Sequence, residues 1–182
     1  MNILLISGSM NPDSRSRILV RAAEKALQGM GVETRIIDLK DYPLPLCDGG
    51  AAYKDPRVDE LSTLIREADA ILVGVAVYNY GVNAAIKNLL ELTGSAWEEK
   101  VVGFLCAAGG HSSYMSVMSF ANNLMLDFRC LILPRFVYTT GSDFCGDSVS
   151  NPKIQERIRQ LAQEAQQLAG YRLSLINQPQ RI

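Results

Sequence analysis

A single histidine, His111, among 182 residues leaves this chain short of the commonest base, proton carrier and metal ligand. Hydrolytic schemes that need a nucleophile, a base and an orienting partner lose their usual middle member. The four cysteines, Cys47, Cys106, Cys130 and Cys145, stand far apart, form no Cys-x-x-Cys pair and, with one histidine, supply no usual zinc set. They read as free buried thiols, which favours a reducing cytosol. Lys and Arg total 18 against 19 Asp and Glu, a net charge of -1 with no basic cluster, so the footprint expected of a nucleic-acid or anionic-membrane partner is missing. No apolar run approaches the roughly 20 residues that cross a bilayer, and the first residues lack a basic segment and cleavage site. The expectation is a soluble, cytoplasmic protein that acts on small molecules.

What the chain does have is apolar sequence, 48% of its residues, arranged as short runs alternating with helical periods. That alternation predicts a parallel sheet with helices on both faces. Five strands are expected at Asn2 to Ile6, Val32 to Asp38, Ala70 to Val77, Val101 to Ala107 and Leu131 to Tyr138. Helices are expected at Ser16 to Leu27, from the Asp55-Pro56 cap to about Ala68, at about Asn83 to Leu92, at Ser113 to Phe128, and from Asn151-Pro152 to about Ala169, where Gly170 would stop the last. Leu39 to Lys54, with Pro43, Pro45, Gly49 and Gly50, reads as a long loop, either a lid or a connector. Residues 1–170 read as one domain and 171–182 as an irregular tail. The expected architecture is α/β, a flavodoxin-like three-layer sandwich whose five-stranded parallel sheet runs in the order 2-1-3-4-5. Ligands of such sheets sit at the carboxyl ends of strands one and three, where the winding reverses.

Three loops fall at that end. The opening run MNILLISGSMNPDSRSR places Ser7, Ser9, Ser14 and Ser16 around the start of the first helix, with Arg15 and Arg17 bringing positive charge. A helix N-terminus favours an anion, but Ser14 or Ser16 as a plain helix cap explains the serines equally well. After strand three, AVYNYGVNAAIKNLL sets Tyr78 and Tyr80 to flank a planar ring, Asn79 to bond its edge and Gly81 to admit close backbone approach; packing tyrosines in a turn is the plainer reading. After strand four, CAAGGHSSY offers Gly109-Gly110 and then His111, which taken alone is a flexible turn with a solvated histidine. Together the loops describe a site for a mononucleotide with a flat ring.

On these residues the chain resembles the NAD(P)H-dependent FMN reductases of the flavodoxin-like fold, a group that includes azoreductases, quinone and chromate reductases and flavin suppliers of monooxygenases. The resemblance covers roughly residues 1–170. It rests on the Gly-Ser opening with serines five and seven positions after Ser9, the Tyr-Asn loop followed by Ala85-Ile86-Lys87-Asn88, and the Gly109-Gly110 turn. It implies FMN as cofactor and NADPH or NADH as donor. Ser9, Ser14 and Ser16, with Asn11 and Arg15 beside them, would bind the phosphate. Val77, Tyr78, Asn79, Tyr80 and Gly81 would hold the ribityl chain and ring, and Gly109, Gly110 and His111 would lie near the pyrimidine edge. The family's arginine two residues after the loop serine is Asn11 here, so Arg15 or Arg17 would have to supply its charge, and its proline and acid before the Tyr-Asn pair are Ala76-Val77. The spacing from Gly110 to Leu133-Pro134 resembles the form without an inserted helix residue, which implies retained FMN. The resemblance also implies a homodimer or homotetramer, built on the helices Asn83 to Leu92 and Ser113 to Phe128.

No catalytic side chain is expected, since flavin N5 carries the chemistry in a ping-pong exchange between NAD(P)H and a quinone, azo compound, metal oxyanion or free flavin. The chief alternative is a flavodoxin-like electron carrier without reductase activity, against which the near-neutral charge counts. A Cys-x5-Arg phosphatase is disfavoured, because Cys130 and Arg135 are one residue too close. A dehydrogenase would use Asp38 as a ribose acid, but Gly-x-Gly-x-x-Gly is missing and Asp38 reads as a loop residue.

Overall fold

A computed structural model describes residues 1–176. Its strands are β1 (Asn2–Ser7), β2 (Glu33–Asp38), β3 (Ala70–Tyr78), β4 (Gly81–Val82), β5 (Val101–Ala107), β6 (Leu131–Ile132), β7 (Val137–Thr139), β8 (Phe144–Cys145) and β9 (Ser148–Val149). Its α-helices are α1 (Arg15–Gly29), α2 (Pro56–Glu67), α3 (Ala84–Thr93), α4 (Met118–Phe128) and α5 (Pro152–Ile176). The main sheet runs β2-β1-β3-β5-β6, with β7 also on β5, and these pairs are parallel. Two short antiparallel pairs, β3 with β4 and β8 with β9, are additions to the expected order.

Strands buried on both faces need apolar residues at every position, and the alternation sorts those residues into two cores. Leu4, Ile6, Ile71, Val73 and Phe104 point to the face covered by α2, α3 and α4. Ile3, Leu5, Leu72 and Leu105 point to the face covered by α1 and α5. Gly74 lets α1 close on β3: a Cβ there would sit 2.4 Å from Val20 Cγ2.

Three expectations need correction. The fifth strand is broken into β6 and β7, both on β5, because Pro134 between them has no N–H to give the ladder. The fourth helix begins later than expected, since His111–Val117 winds as 3-10 turns, with Ser113 at φ -105° and ψ 27°, before α4 starts at Met118. The last helix does not stop at Gly170 but continues to Ile176, where one glycine costs only about 1 kcal/mol and Arg172 ties the added turn to Glu99 at 3.1 Å. Residues 177–182 of the expected tail lie outside the described residues. The long loop is a pinned connector with 3-10 turns at Leu39–Asp41 and Ala51–Lys54. Asn88 holds its middle, donating to the Pro45 carbonyl and accepting from the Cys47 N–H, each at 2.9 Å.

Candidate functional site

β1, β3 and β5 end side by side, and their carboxyl ends open onto a cavity of about 390 Å³. Ser9, Asn11, Ser14, Arg15 and Ser16 line it from the first loop. Val77 and Tyr78 line it from the end of β3, and Gly109 from the loop after β5. Asp13, Ala76, Ala107 and Ala108 also line it and are missed by sequence reasoning; an exposed loop acid and three small residues carry no motif of their own. Asn79, Tyr80, Gly81, Gly110 and His111 do not line this cavity.

The first loop holds its shape through its own side chains. Ser14 caps α1, accepting from the Arg17 N–H at 3.3 Å, and its hydroxyl meets that of Ser16 at 2.9 Å. Capping and facing the cavity are therefore both true of Ser14. Ser7 does not join the other hydroxyls: it is fully buried within the sheet and its Oγ has no partner among the described residues.

Arg17 has a different role from the cationic one its position suggests. Its guanidinium donates to both carboxylate oxygens of Asp38, and to the carbonyls of Asn11 and Pro12 at 2.9 Å and Ser9 at 3.2 Å. It is a tie rod for the loop and has no donors left for an anion. Asp38 in turn is the last residue of β2, not a loop residue. Burial pushes its carboxyl up, but hydrogen bonds from Arg17 and the Lys40 N–H, with the charge of Arg17, hold it below the usual carboxylate range. Arg17 itself is raised, chiefly by its bond to Asp38.

Asn83, buried at the start of α3, joins two walls of the site. Its Nδ2 donates to the Gly8 carbonyl at 2.5 Å and its Oδ1 accepts from the Ala76 N–H at 3.3 Å. Nothing in its sequence context marks it, because both partners are backbone groups remote in sequence. Gly8 is required by packing, since a Cβ there would lie 2.9 Å from the Gly74 carbonyl.

Tyr78 and Gly81 pair as the ends of a two-residue hairpin, with Asn79 at φ 49° and Tyr80 at φ 61°. Positive φ at both central residues is the type I′ arrangement, so the left-handed residues are Asn79 and Tyr80 and not the glycine. Tyr78 and Tyr80 are more than half exposed, at 56% and 57%. On the third wall, the Tyr138 hydroxyl donates to the Gly110 carbonyl at 2.5 Å, and the Ala108 N–H donates to the Thr139 carbonyl at 2.9 Å. A Cβ at Gly109 or Gly110 would meet nothing within 4 Å, and neither has a positive φ. The fold itself does not need glycine at these two positions.

Burial pushes the Cys106 thiol up to about 12 and the Cys130 thiol up to about 11, so neither is a thiolate nucleophile. Among the described residues no three His, Cys, Asp or Glu side chains gather as a metal site, and no helix is long and apolar enough to cross a membrane.

A family model described as NADPH-dependent FMN reductase matches residues 1–144. An NAD(P)H-dependent FAD/FMN reductase of Geobacillus thermodenitrificans is 28% identical over 137 residues, 73% of this chain and 74% of that protein. An FMN reductase (NADPH) of Pseudomonas putida is 30% identical over 122 residues, 66% of this chain; the chain spans only 61% of that relative's length. Among solved structures, the flavoenzyme NAD(P)H:(acceptor) oxidoreductase FerB of Paracoccus denitrificans superposes with a TM-score of 0.77 at 18% identity, over 93% of this chain and 97% of that one. This last likeness is one of fold.

Proposed function

This chain belongs to the NADPH-dependent FMN reductase family, and on that footing we propose that the cavity at the ends of β1, β3 and β5 seats FMN for the reduction of a small-molecule acceptor by NAD(P)H. The hydroxyls of Ser9, Ser14 and Ser16, the side chains of Asn11 and Arg15 and the N-terminus of α1 hold the phosphate. Val77 and Tyr78, with Asn79, Tyr80 and Gly81 of the adjoining hairpin, hold the ribityl chain and ring. Gly109, Gly110 and His111 face the pyrimidine edge. When bound, FMN supplies the redox chemistry, taking hydride from NAD(P)H and passing the electrons on.

The observation that carries this reading is the pairing, in one cavity, of a hydroxyl-lined helix start with Gly109, a glycine that the fold does not otherwise need. The hydroxyls suit one monophosphate, and open space at Gly109 suits a flat ring laid close to backbone. The cavity's size is that of a small-molecule site. The chain's own residues bind and orient, and no acid or base is required of them.

The acceptor is a compound able to stack on the exposed ring face, such as a quinone, azo compound, metal oxyanion or free flavin. Only Cys106 and Cys130 are buried as expected, while Cys47 is half-buried and Cys145 exposed; four free thiols and reliance on NAD(P)H fit a cytoplasmic setting. Exposed Met115, in the 3-10 turns that follow the third wall, and Met125 and Leu126, toward the far end of α4, support the α4 side of a homodimer. Sedimentation at micromolar concentration should give a dimer or tetramer mass; a clean monomer contradicts this part.

The test is rapid oxidation of NADH or NADPH by the FMN-supplemented protein with a quinone, together with identification of any flavin the desalted protein releases. FMN release or reduction with turnover supports the proposal. Flavin binding without turnover favours an electron carrier instead.

A further inference from the structure

We propose that Asp13 opposes the phosphate of FMN, so that flavin affinity is set by the balance of Asp13 against Arg15 and not by a full complement of cations. The inference rests on the flavin reading of this cavity.

Of the two arginines near the phosphate end, only one is free to act there. Arg17 is paired with Asp38 and bonded to three loop carbonyls, so its charge is already neutralised. Position 11 carries no charge, and Asn11 Oδ1 is taken up by the Asp13 N–H at 2.9 Å. Arg15 lines the cavity, and among the described residues it enters no ion pair. Its guanidinium lies against Gly141, where an added Cβ would come within 3.1 Å of Nη1. Packing against backbone, not a carboxylate, locates that cation.

Asp13 lines the same cavity and is exposed. Its backbone N–H shapes the loop, but its carboxylate enters no ion pair among the described residues and accepts no hydrogen bond there. An asparagine would fill the same volume and keep the turn, so neither loop shape nor packing calls for the charge. One residue before the Ser14 cap, the carboxylate draws on the same α1 N-terminus that favours a phosphate, and it repels an anion that brings about -1.5 to -2 units at neutral pH. Arg15 and Asp13 therefore cancel in formal charge, and the phosphate depends on hydroxyls and backbone N–H groups.

The test compares dissociation constants of FMN and riboflavin, read by quenching of flavin fluorescence, for the wild type, Asp13→Asn, Asp13→Ser and Arg15→Gln. Riboflavin lacks the phosphate and reports the ring site alone. Both Asp13 variants should bind FMN about fivefold more tightly at low ionic strength, the scale of one unit-charge contact in a water-like medium, and Arg15→Gln should weaken it by a similar factor. Riboflavin affinity should stay unchanged, and the gain should shrink as salt rises past about 0.15 M. Unchanged or weaker FMN binding by both Asp13 variants, with riboflavin binding intact, overturns the inference. If the wild type binds neither flavin, the assignment of the cavity itself fails, and this proposal with it.

Discussion

Arg17 reads as a phosphate ligand until its partner, 21 positions further along the chain, is known. No local pattern announces that Asp38 at the end of β2 lies beside the start of α1; only the parallel pairing of β1 with β2 brings it there. The consequence can be measured. Because Arg17 and the Lys40 N–H hold the Asp38 carboxyl below its ordinary range, the pair stabilises the fold fully above the unfolded-state value of about 3.9, and that contribution is lost as pH falls through the lower folded-state value. Asp38→Asn should therefore lower the unfolding temperature at pH 7 and flatten its acid dependence below about pH 4. Losing a nearly buried partner of a charged group costs about 2–4 kcal/mol. A scan of unfolding temperature against pH checks both, and an unchanged acid limb in the variant would show that other carboxylates set it. Ser14 carries the same lesson more gently: whether a serine caps or binds is undecidable from its neighbours, and here the cap is also a cavity wall.

At the scale of elements, the periodicity of apolar residues was enough to locate the main strands and helices, since burial on both faces leaves continuous apolar runs. Its failures have local physical causes. Pro134 breaks a run that is apolar throughout, and Gly170 fails to stop a helix that tertiary contacts extend. The Tyr78–Gly81 hairpin carries no sequence signal of its own, because Asn-Tyr is a poor type I′ pair where Asn-Gly is the usual one. Holding a tyrosine at φ 61° costs about 1 kcal/mol, and strain of this kind is kept where a side chain is used. Tyr80→Gly should accordingly raise stability by about 0.5–1 kcal/mol in urea unfolding while raising the KM for the acceptor. A variant that is more stable and kinetically unchanged would remove Tyr80 from the site.

For the whole molecule, the order of the sheet decides where chemistry is possible. Three loops separated by up to about a hundred residues meet because β1, β3 and β5 are neighbours and point the same way. The loop positions are legible in the sequence, because parallel strands put all their carboxyl ends on one side. What was not legible is how each loop folds back: Asn83 spanning Gly8 and Ala76, Gly141 seating Arg15, and Asp13 facing the cavity all depend on contacts between distant segments. Near-neutral charge fits a protein that meets small molecules more readily than one that steers a protein redox partner. The most direct test mixes the FMN-loaded protein with NADH or NADPH in the absence of oxygen and follows the flavin's visible absorption. Rapid bleaching, reversed by adding a quinone, is the predicted result; flavin that stays bound and oxidised in excess of both donors would contradict the account.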